Sequence, residues 1–279
     1  MSAAGLDRRA ELDSVLLDRF GTVPLEQLAE SAALMMRVDR KYLLGVDRAR
    51  RVLAEIDSAT RVLEVDGVRA SAYASVYFDT PDLLSFRLAA QRRRRRFKLR
   101  SRTYLDSATT FLEMKTRGAR RTTVKDRTAY PSAPDTLTSD AVDYVADALE
   151  TIGIAGTRAA DLRPRLTTRY RRTTLVAGDA TARCTIDTEL TWHDIDGRVL
   201  TAPHLVIVET KSPAGRSDFD RLLWAAGARP VSISKYATGL AALHDELPRN
   251  RWSRVLRTAF PIPTESAATP EEFPCSPAA

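Results

Sequence analysis

The chain has 279 residues, of which 44% are hydrophobic and 28% are charged, and its formal net charge is +7. This composition is ordinary for a globular protein of one large or two small domains, and the charge favours an anionic partner such as nucleic acid, a phosphate compound or an acidic surface. No apolar run approaches the roughly 18 residues that span a bilayer, and the N-terminus lacks the apolar core of a signal peptide. Because Cys184 and Cys275 give no sign of a disulfide framework, we expect a soluble, cytoplasmic protein.

The N-terminal segment, residues 1–33, is predicted to be helical because its apolar residues recur at helical spacing. The next stretch, residues 34–44, has the pattern of a long strand, which places Arg37, Asp39 and Lys41 on one face. Beyond it we predict a helix at residues 48–57 and strands at residues 61–65 and 70–79. A short helix that ends at residue 88 follows the second of these strands.

A strand over residues 94–104 would carry an almost purely cationic row on one face. The members of this row are Arg94, Arg96, Lys98, Arg100, Arg102 and, at its end, Tyr104. A row of like charges repels itself unless an anion lies against it, so we interpret the strand as one wall of a polyanion site. The run Arg92–Arg96 alone also fits a solvated basic patch or a nucleic-acid patch.

The remaining chain alternates further strands with short helices. Strands are predicted at residues 110–116, 121–130, 164–176, 181–191 and 199–211, and helices at residues 140–151, 218–226 and 235–246. About seven or eight strands alternate strictly, and most have a charged face, which favours an antiparallel sheet closed around a polar interior. We therefore predict an α+β fold, a closed antiparallel β-barrel tunnel of about eight strands with a charged interior and helices packed outside. Residues 34–247 would form this domain, and residues 248–279 a largely disordered tail.

Two copies of Glu-x-Lys occur late in apolar strands, at Glu113 with Lys115 and at Glu209 with Lys211. Each copy alone fits an exposed pair on an edge strand equally well. The functional interpretation is that the carboxylate holds a divalent cation and the lysine holds a phosphate. The sequence contains no phosphate-binding glycine loop and no zinc-type histidine spacing, so catalysis would depend on charge and metal.

The order of motifs along the chain is specific, although each motif alone is weak. The motifs are RVDRKYLL, YFDTPDLLSFR, KLRSRTY, FLEMKT, RYRRT, ARCTIDTEL, VIVETK and SISKYATG. Together they resemble the VTC domain, the polyphosphate polymerase domain of the vacuolar transporter chaperone family, within the CYTH-like superfamily of triphosphate tunnel metalloenzymes. The resemblance implies a tunnel of eight strands that binds a nucleoside triphosphate with Mn²⁺ or Mg²⁺ and passes its terminal phosphate to a polyphosphate chain.

The resemblance also implies roles for individual residues. The cations that would bind the triphosphate and the product chain are Lys41, Arg100, Arg102, Lys115, Arg172, Arg183 and Lys235. Four of them would act at the transferred phosphate, namely Arg100, Arg102, Lys115 and Lys235. Glu209, together with Glu113, would hold the metal. A one-residue slip would put Arg171 in place of Arg172, and Ser232 stands where yeast-type domains have a further lysine.

The first functional hypothesis is therefore an ATP-dependent polyphosphate polymerase. A triphosphatase on the same fold and a non-catalytic module that binds polyphosphate or inositol phosphate are the alternatives. A nucleic-acid binder is ranked lowest, because only Phe97 and Tyr104 could stack on bases, and they lie on opposite faces. The expected partners are ATP and polyphosphate, and export of the product would need a membrane protein partner.

Overall fold

The structure, a computed structural model, describes residues 16–32, 38–118, 123–213 and 215–260. They form an α+β fold in which eleven strands build one sheet. The strands are β1 Gly21–Val23, β2 Val38–Gly45, β3 Arg61–Leu63, β4 Ser71–Asp79, β5 Arg96–Tyr104, β6 Thr109–Arg117, β7 Thr123–Ala129, β8 Arg163–Val176, β9 Arg183–Asp194, β10 Val199–Ala202 and β11 Leu205–Ser212. The helices are α1 Leu25–Ala32, α2 Val46–Ala54, α3 Leu84–Ala90, α4 Ser139–Thr151, α5 Asp218–Ala225, α6 Lys235–Leu243 and α7 Ser253–Ala259, with 3₁₀ turns at Gly156–Asp161 and Asn250–Trp252.

The main path of the sheet has the order β2-β11-β9-β8-β4-β5-β6-β7, and each neighbouring pair along it is antiparallel. The short strands β1, β3 and β10 pair off this path. Predicted elements on residues 1–15, 33–37 and 261–279 lie outside the described residues. Because directly opposed residues share a face of an antiparallel sheet, the register decides which charged side chains meet.

The prediction of a closed barrel is wrong, because the sheet is open. Its end strands are β2 and β7, and no ladder joins them in the part of the chain that the structure describes. The segment before α6 contacts the free edge of β2 instead. The Val231 backbone N–H donates to the Lys41 carbonyl at 2.7 Å, and Ser234 Oγ accepts from Lys98 Nζ at 2.9 Å. This segment therefore contacts the outer edge of β2 at Lys41 and the side chain of Lys98 on β5.

The other end strand, β7, is exposed along its whole length. It carries Lys125, Asp126 and Arg127 in succession, and charged side chains on an edge strand oppose pairing with another chain. The sheet is nevertheless strongly curved, since Lys41 on β2 and Lys125 on β7 line one cavity. The structure is thus an open, curved sheet rather than a barrel.

Three helices cover the convex face, as predicted. Helices α2 and α5 pack on apolar residues of β2, β9 and β11, among them Tyr42, Ile186 and Val208. Helix α4 packs on β5 and β6, with Val145 and Leu149 fully buried. These contacts bury the alternate residues of each strand, which leaves the charged residues on the concave face.

Helix α6 differs from these helices, because it packs within the concave face. Its residues Tyr236, Ala237 and Leu240 share a core cluster with Trp192. A Cβ on Gly239 would lie 2.3 Å from Trp192 Cδ1, so only glycine allows this close approach. Trp192 Nε1 also donates to the carbonyl of the first helical residue, Lys235, at 2.8 Å. The start of α6 is thereby fixed against the sheet.

The buried Asp79 ties α6 to α3. Its carboxylate accepts from the Tyr236 hydroxyl at 2.5 Å and from the backbone N–H groups of Ser85 and Phe86 at 2.8 and 2.9 Å. The two N–H groups belong to the first turn of α3, so Asp79 caps this helix. The YFDTPDLLSFR motif thus has a structural function.

Residues that follow the predicted domain, which ends at residue 247, also pack on the core cluster that contains Trp192. Trp252 is 2% exposed, and Val255 and Leu256 of α7 belong to the same cluster. Among the described residues, no helix combines the length and apolar character that a membrane span requires.

Candidate active site

A cavity of about 190 Å³ lies in the concave face. It is lined by Asp39, Lys41, Tyr77, Lys98, Arg100, Arg102, Glu113, Lys115, Lys125, Arg172, Glu209, Lys211 and Lys235. Nine of these side chains are lysine or arginine, and three are carboxylates. A cavity with this excess of positive charge attracts anions, and its three carboxylates add ligands of the kind that hard cations prefer.

Strand register explains why residues distant in sequence meet here. Lys41 is directly opposite Glu209 in the β2–β11 ladder, and Arg100 is directly opposite Glu113 in the β5–β6 ladder. On β8, Arg172 is opposite Asp187 of β9. Each pair therefore projects from one face of the sheet.

Glu113 is buried and surrounded by three cations. Arg100 donates to its Oε2 from Nε at 2.8 Å, and Arg102 Nη1 and Lys125 Nζ lie 3.6 and 3.5 Å from its Oε1. Burial raises the pKa of this carboxyl, but the three cations outweigh burial and lower the pKa to about 2. Its Oε1 is buried without a hydrogen-bond partner among the described residues. Glu113 is thus ionised, and its Oε1 is held by two ion pairs instead of a hydrogen bond.

Asp187 has the tightest contacts of the carboxylates on this face. Arg172 donates to its two oxygens from Nε and Nη2 at 2.6 and 2.8 Å, and Lys235 Nζ also donates to it. Burial raises the pKa of Asp187, but Arg172 and Lys235 outweigh burial and hold the pKa below its ordinary value. This carboxylate orients two cations that line the cavity and come from β8 and α6.

Glu209 has longer contacts. Lys211 Nζ lies 3.5 Å from its Oε1, and Lys41 Nζ lies 4.0 Å from its Oε2. Burial raises the pKa of Glu209, but Lys41, Lys211 and more distant cations lower it to about 2. It is therefore ionised at neutral pH, and its lysine contacts are longer than the contacts of Arg172 with Asp187 and of Arg100 with Glu113.

The cations of the cavity also repel one another. Burial holds the pKa of Lys98 well below its ordinary value, and Lys41 and Arg100 lower it further. Burial and the charge of Lys41 also lower the pKa of Lys115. An anion bound between these side chains would relieve the repulsion.

Tyr170 lies beside this group of cations. Its ring stacks on Tyr73 with centroids 5.3 Å apart, and Lys235 Nζ lies 4.1 Å from its centroid. Burial raises the pKa of the phenol, but Arg102, Arg172 and Lys235 outweigh burial and lower the pKa to about 8.

The structure brings most of the predicted site residues together. Those that line the cavity are Lys41, Arg100, Arg102, Glu113, Lys115, Arg172, Glu209 and Lys235. Arg183 does not line it; this residue begins β9, opposite Lys211. Arg172 faces the cavity, whereas Arg171 donates to the Ala70 carbonyl at 2.7 Å.

Some residues of the cavity were missing from the predicted site. Lys98 belongs to the cationic row of residues 94–104, Lys211 to the second Glu-x-Lys copy and Lys125 to the predicted strand over residues 121–130, so alternation alone could have added them. Asp187, which orients two of the cations, lies in the predicted strand over residues 181–191. Its contact with Lys235 joins residues 48 positions apart, and no local pattern indicates such a pair.

A second group of potential metal ligands lies at the β9–β10 turn. Ligand atoms of Asp194, Asp196 and His244 lie within 4.8 Å of one another. His244 Nε2 is 2.7 Å from Asp194 Oδ2, and Asp194 Oδ1 accepts from the backbone N–H groups of Asp196 and Arg198. These contacts hold the turn together, and the group does not line the cavity.

The curved α+β sheet and its cationic, carboxylate-bearing cavity define a protein suited to small polyanions. The VTC domain family model matches residues 36–244. The chain therefore belongs to the VTC domain family, which confirms the resemblance found in the sequence motifs and supports an enzyme of triphosphate or polyphosphate chemistry. Among curated proteins, the comparison finds no match to this chain.

Solved structures give weaker similarities. A proposed adenylate cyclase from Bacillus halodurans is 14% identical, with a TM-score of 0.47 over 74% of this chain and 97% of that chain. The protein HpAC1 from Hippeastrum, which has a dominant triphosphatase activity, is 14% identical, with a TM-score of 0.45 over 77% of this chain and 100% of that chain. At these low identities and TM-scores, the similarities add nothing to the functional inference.

Proposed function

We propose that this chain is a metal-dependent polyphosphate polymerase that transfers the terminal phosphate of ATP to a polyphosphate chain. The observation that carries the proposal is the single cavity in which nine cationic side chains surround three carboxylates. A phosphate chain bears about one negative charge per phosphate, and arginine and lysine are the side chains that bind phosphate oxygens best. Membership of the VTC domain family supports the same chemistry.

The carboxylates fit a hard divalent cation, Mn²⁺ or Mg²⁺. Glu209 and Glu113 are both ionised, and Glu113 Oε1 has no hydrogen-bond partner among the described residues. Such ions bind through one or two carboxylates together with substrate phosphates. Glu209, with Glu113, would hold the ion, which would supply charge neutralisation at the phosphate oxygens when bound.

The cations of the chain would do the remaining work by binding and aligning phosphates. Arg100 and Arg102 line the cavity from β5, and Lys41 lines it from β2. Arg172 and Lys235 are held by Asp187, so their charged groups are oriented before substrate binds. Lys115 completes the set. In-line phosphoryl transfer needs alignment and charge stabilisation rather than a nucleophilic side chain.

The acceptor decides between a polymerase and a triphosphatase, and one experiment separates them. The purified protein is incubated with ATP and Mn²⁺, and the products are resolved by gel and by a phosphate assay. Long phosphate chains support the polymerase, and free phosphate alone refutes it in favour of a triphosphatase. Binding of ATP without turnover under any divalent metal would indicate a binding module.

The proposal also implies a cellular setting. Its donor, ATP, favours action in the cytoplasm, and no nucleic acid is needed as partner or template. Movement of the product across a membrane would require a membrane protein partner.

A further inference from the structure

A second cavity, of about 200 Å³, adjoins the main cavity. The two share Lys98 and Lys115 as lining residues. Five cationic side chains line the second cavity, namely Arg96, Lys98, Lys115, Arg117 and Arg251. Among its lining residues in the described part of the chain, none is a carboxylate. This composition distinguishes it from the main cavity, where three carboxylates offset part of the charge.

The strand register places like charges directly opposite one another beside this cavity. Arg96 is opposite Arg117, and Lys98 is opposite Lys115, in the β5–β6 ladder. Directly opposed like charges destabilise an antiparallel pair, whereas the next row toward the main cavity pairs Arg100 with Glu113. Two successive cross-strand pairs on this face of the β5–β6 ladder therefore contain no acidic residue.

The burial of these cations adds to the cost of their repulsion. Arg96 is half-buried, and burial together with Arg117 and Arg251 lowers its pKa. The Nε of Arg117 is buried and has no hydrogen-bond partner among the described residues. A buried donor on a cation is unfavourable unless an acceptor reaches it. Phosphate oxygens are acceptors that would satisfy this donor and neutralise the repulsion.

A cation also faces the strands from the opposite wall of the cavity. Arg251 belongs to the 3₁₀ turn Asn250–Trp252, and it donates to the Ala89 carbonyl and to Ser232 Oγ, the latter at 3.3 Å. These two bonds hold its guanidinium against the cavity that Arg96 and Arg117 line from the sheet. An anion in the cavity would therefore be contacted from two sides.

We propose that the second cavity binds the part of a polyphosphate chain that extends beyond the phosphates in the main cavity. This proposal rests on the proposed function, since it assigns the path of the product chain. The carboxylate-free lining indicates that phosphates here are neutralised by guanidinium and ammonium groups alone, whereas the main cavity uses a metal as well. A ligand of three phosphates occupies the main cavity, and only a longer chain reaches the second one.

The test compares two ligands on the full chain by titration calorimetry without metal, inorganic tripolyphosphate and long-chain polyphosphate. The variants are Arg117→Gln and the double variant Arg96→Gln/Arg117→Gln, and the control is Arg169→Gln, an exposed arginine on the convex face of β8. We expect Arg117→Gln to weaken binding of the long chain about tenfold, and the double variant to weaken it further. Tripolyphosphate affinity should change less than threefold, and the control should match the wild type with both ligands.

Thermal unfolding without any anion provides a second measurement. Removal of Arg117 relieves repulsion with Arg96, so the melting temperature of Arg117→Gln should equal or exceed that of the wild type. A lower melting temperature would show that Arg117 stabilises the fold, and it would overturn the proposal. Equal losses of affinity for both ligands, or no loss of affinity for the long chain, would also overturn it. Because binding needs no turnover, a protein that makes no polyphosphate but keeps the chain-length effect refutes only the proposed function.

Discussion

The two carboxylates Asp187 and Glu209 lie on the same concave face but are held in different ways. The Asp187 side chain is 2% exposed and has contacts of 2.6 and 2.8 Å to Arg172. The Glu209 side chain is 17% exposed, and its lysine contacts are 3.5 and 4.0 Å. Close bidentate pairing satisfies a carboxylate, whereas loose pairing leaves it able to bind a further cation. The difference separates a carboxylate that organises cations from one that is suited to hold a metal.

The positions of the two residues in the sheet account for this difference. Asp187 is on β9, between β8 and β11, where an arginine of the neighbouring strand and the first residue of α6 both reach it. Glu209 is on β11, next to the end strand β2, and the cations nearest to it are two flexible lysines. Arginine presents a rigid planar fork, and lysine presents a single mobile charge.

The largest expected effect follows substitution of Glu209. Glu209→Gln keeps the shape of the side chain but removes its charge, so Mn²⁺ affinity should fall and metal-dependent ATP turnover should drop about a thousandfold. Steady-state turnover and direct Mn²⁺ titration measure the two effects. The exposed Glu55→Gln is the matched control and should leave both unchanged. Wild-type turnover in Glu209→Gln would contradict the metal assignment.

Substitution of Asp187 should act on stability instead. Asp187→Asn leaves Arg172 and Lys235 half-paired in a buried site, and we expect the free energy of unfolding to fall by about 3 kcal/mol. The corresponding change in Glu209→Gln should be smaller, because its ion pairs are longer and its side chain is more exposed. Denaturant unfolding measures both values. Added tripolyphosphate should stabilise Asp187→Asn by pairing the two released cations. Equal losses of unfolding free energy in the two variants would contradict the different functions assigned to Asp187 and Glu209.

Acid should weaken the fold through the paired carboxylates. The folded-state pKa of Glu113, about 2, is below its ordinary value of 4.5, so its stabilising effect is complete above about pH 4.5 and is lost as pH falls toward about 2. Between about pH 5 and about pH 3 the wild type should lose about 2 kcal/mol more stability than Glu113→Gln. Denaturant unfolding at each pH tests this, and parallel curves for the two proteins would contradict it.

The sequence was sufficient to predict which residues share the concave face. Alternation along β5, β6 and β11 placed Arg100, Arg102, Glu113 and Glu209 correctly, because the period of a strand is fixed by its geometry. Local pattern also located the starts of α5 and α6, predicted at residues 218 and 235, which Ser217 and Ser234 cap in the structure. These features depend on residues that are near one another in the chain.

Features that depend on distant segments were not predictable in this way. Whether the sheet closes depends on where the segment around Val231 lies, and that segment bonds to β2, which is far away in sequence. The position of α6 within the concave face depends on Gly239 meeting Trp192, and neither residue has a local pattern that indicates the contact. The pair of Asp187 and Lys235 follows from the same placement of α6.

A substitution in α6 should perturb the Asp187 side of the comparison alone. Gly239→Ala puts a methyl group against Trp192, so α6 must shift, and overpacking of this kind should lower the free energy of unfolding by about 2 kcal/mol. The shift should displace Lys235 from Asp187 and weaken metal-free binding of tripolyphosphate, while Mn²⁺ affinity at Glu209 stays at its wild-type value. Gly21→Ala is the control, since the nearest atom to its added methyl is 3.9 Å away. Loss of Mn²⁺ affinity in Gly239→Ala would mean that α6 supports both carboxylates, and the separation of the two would not hold.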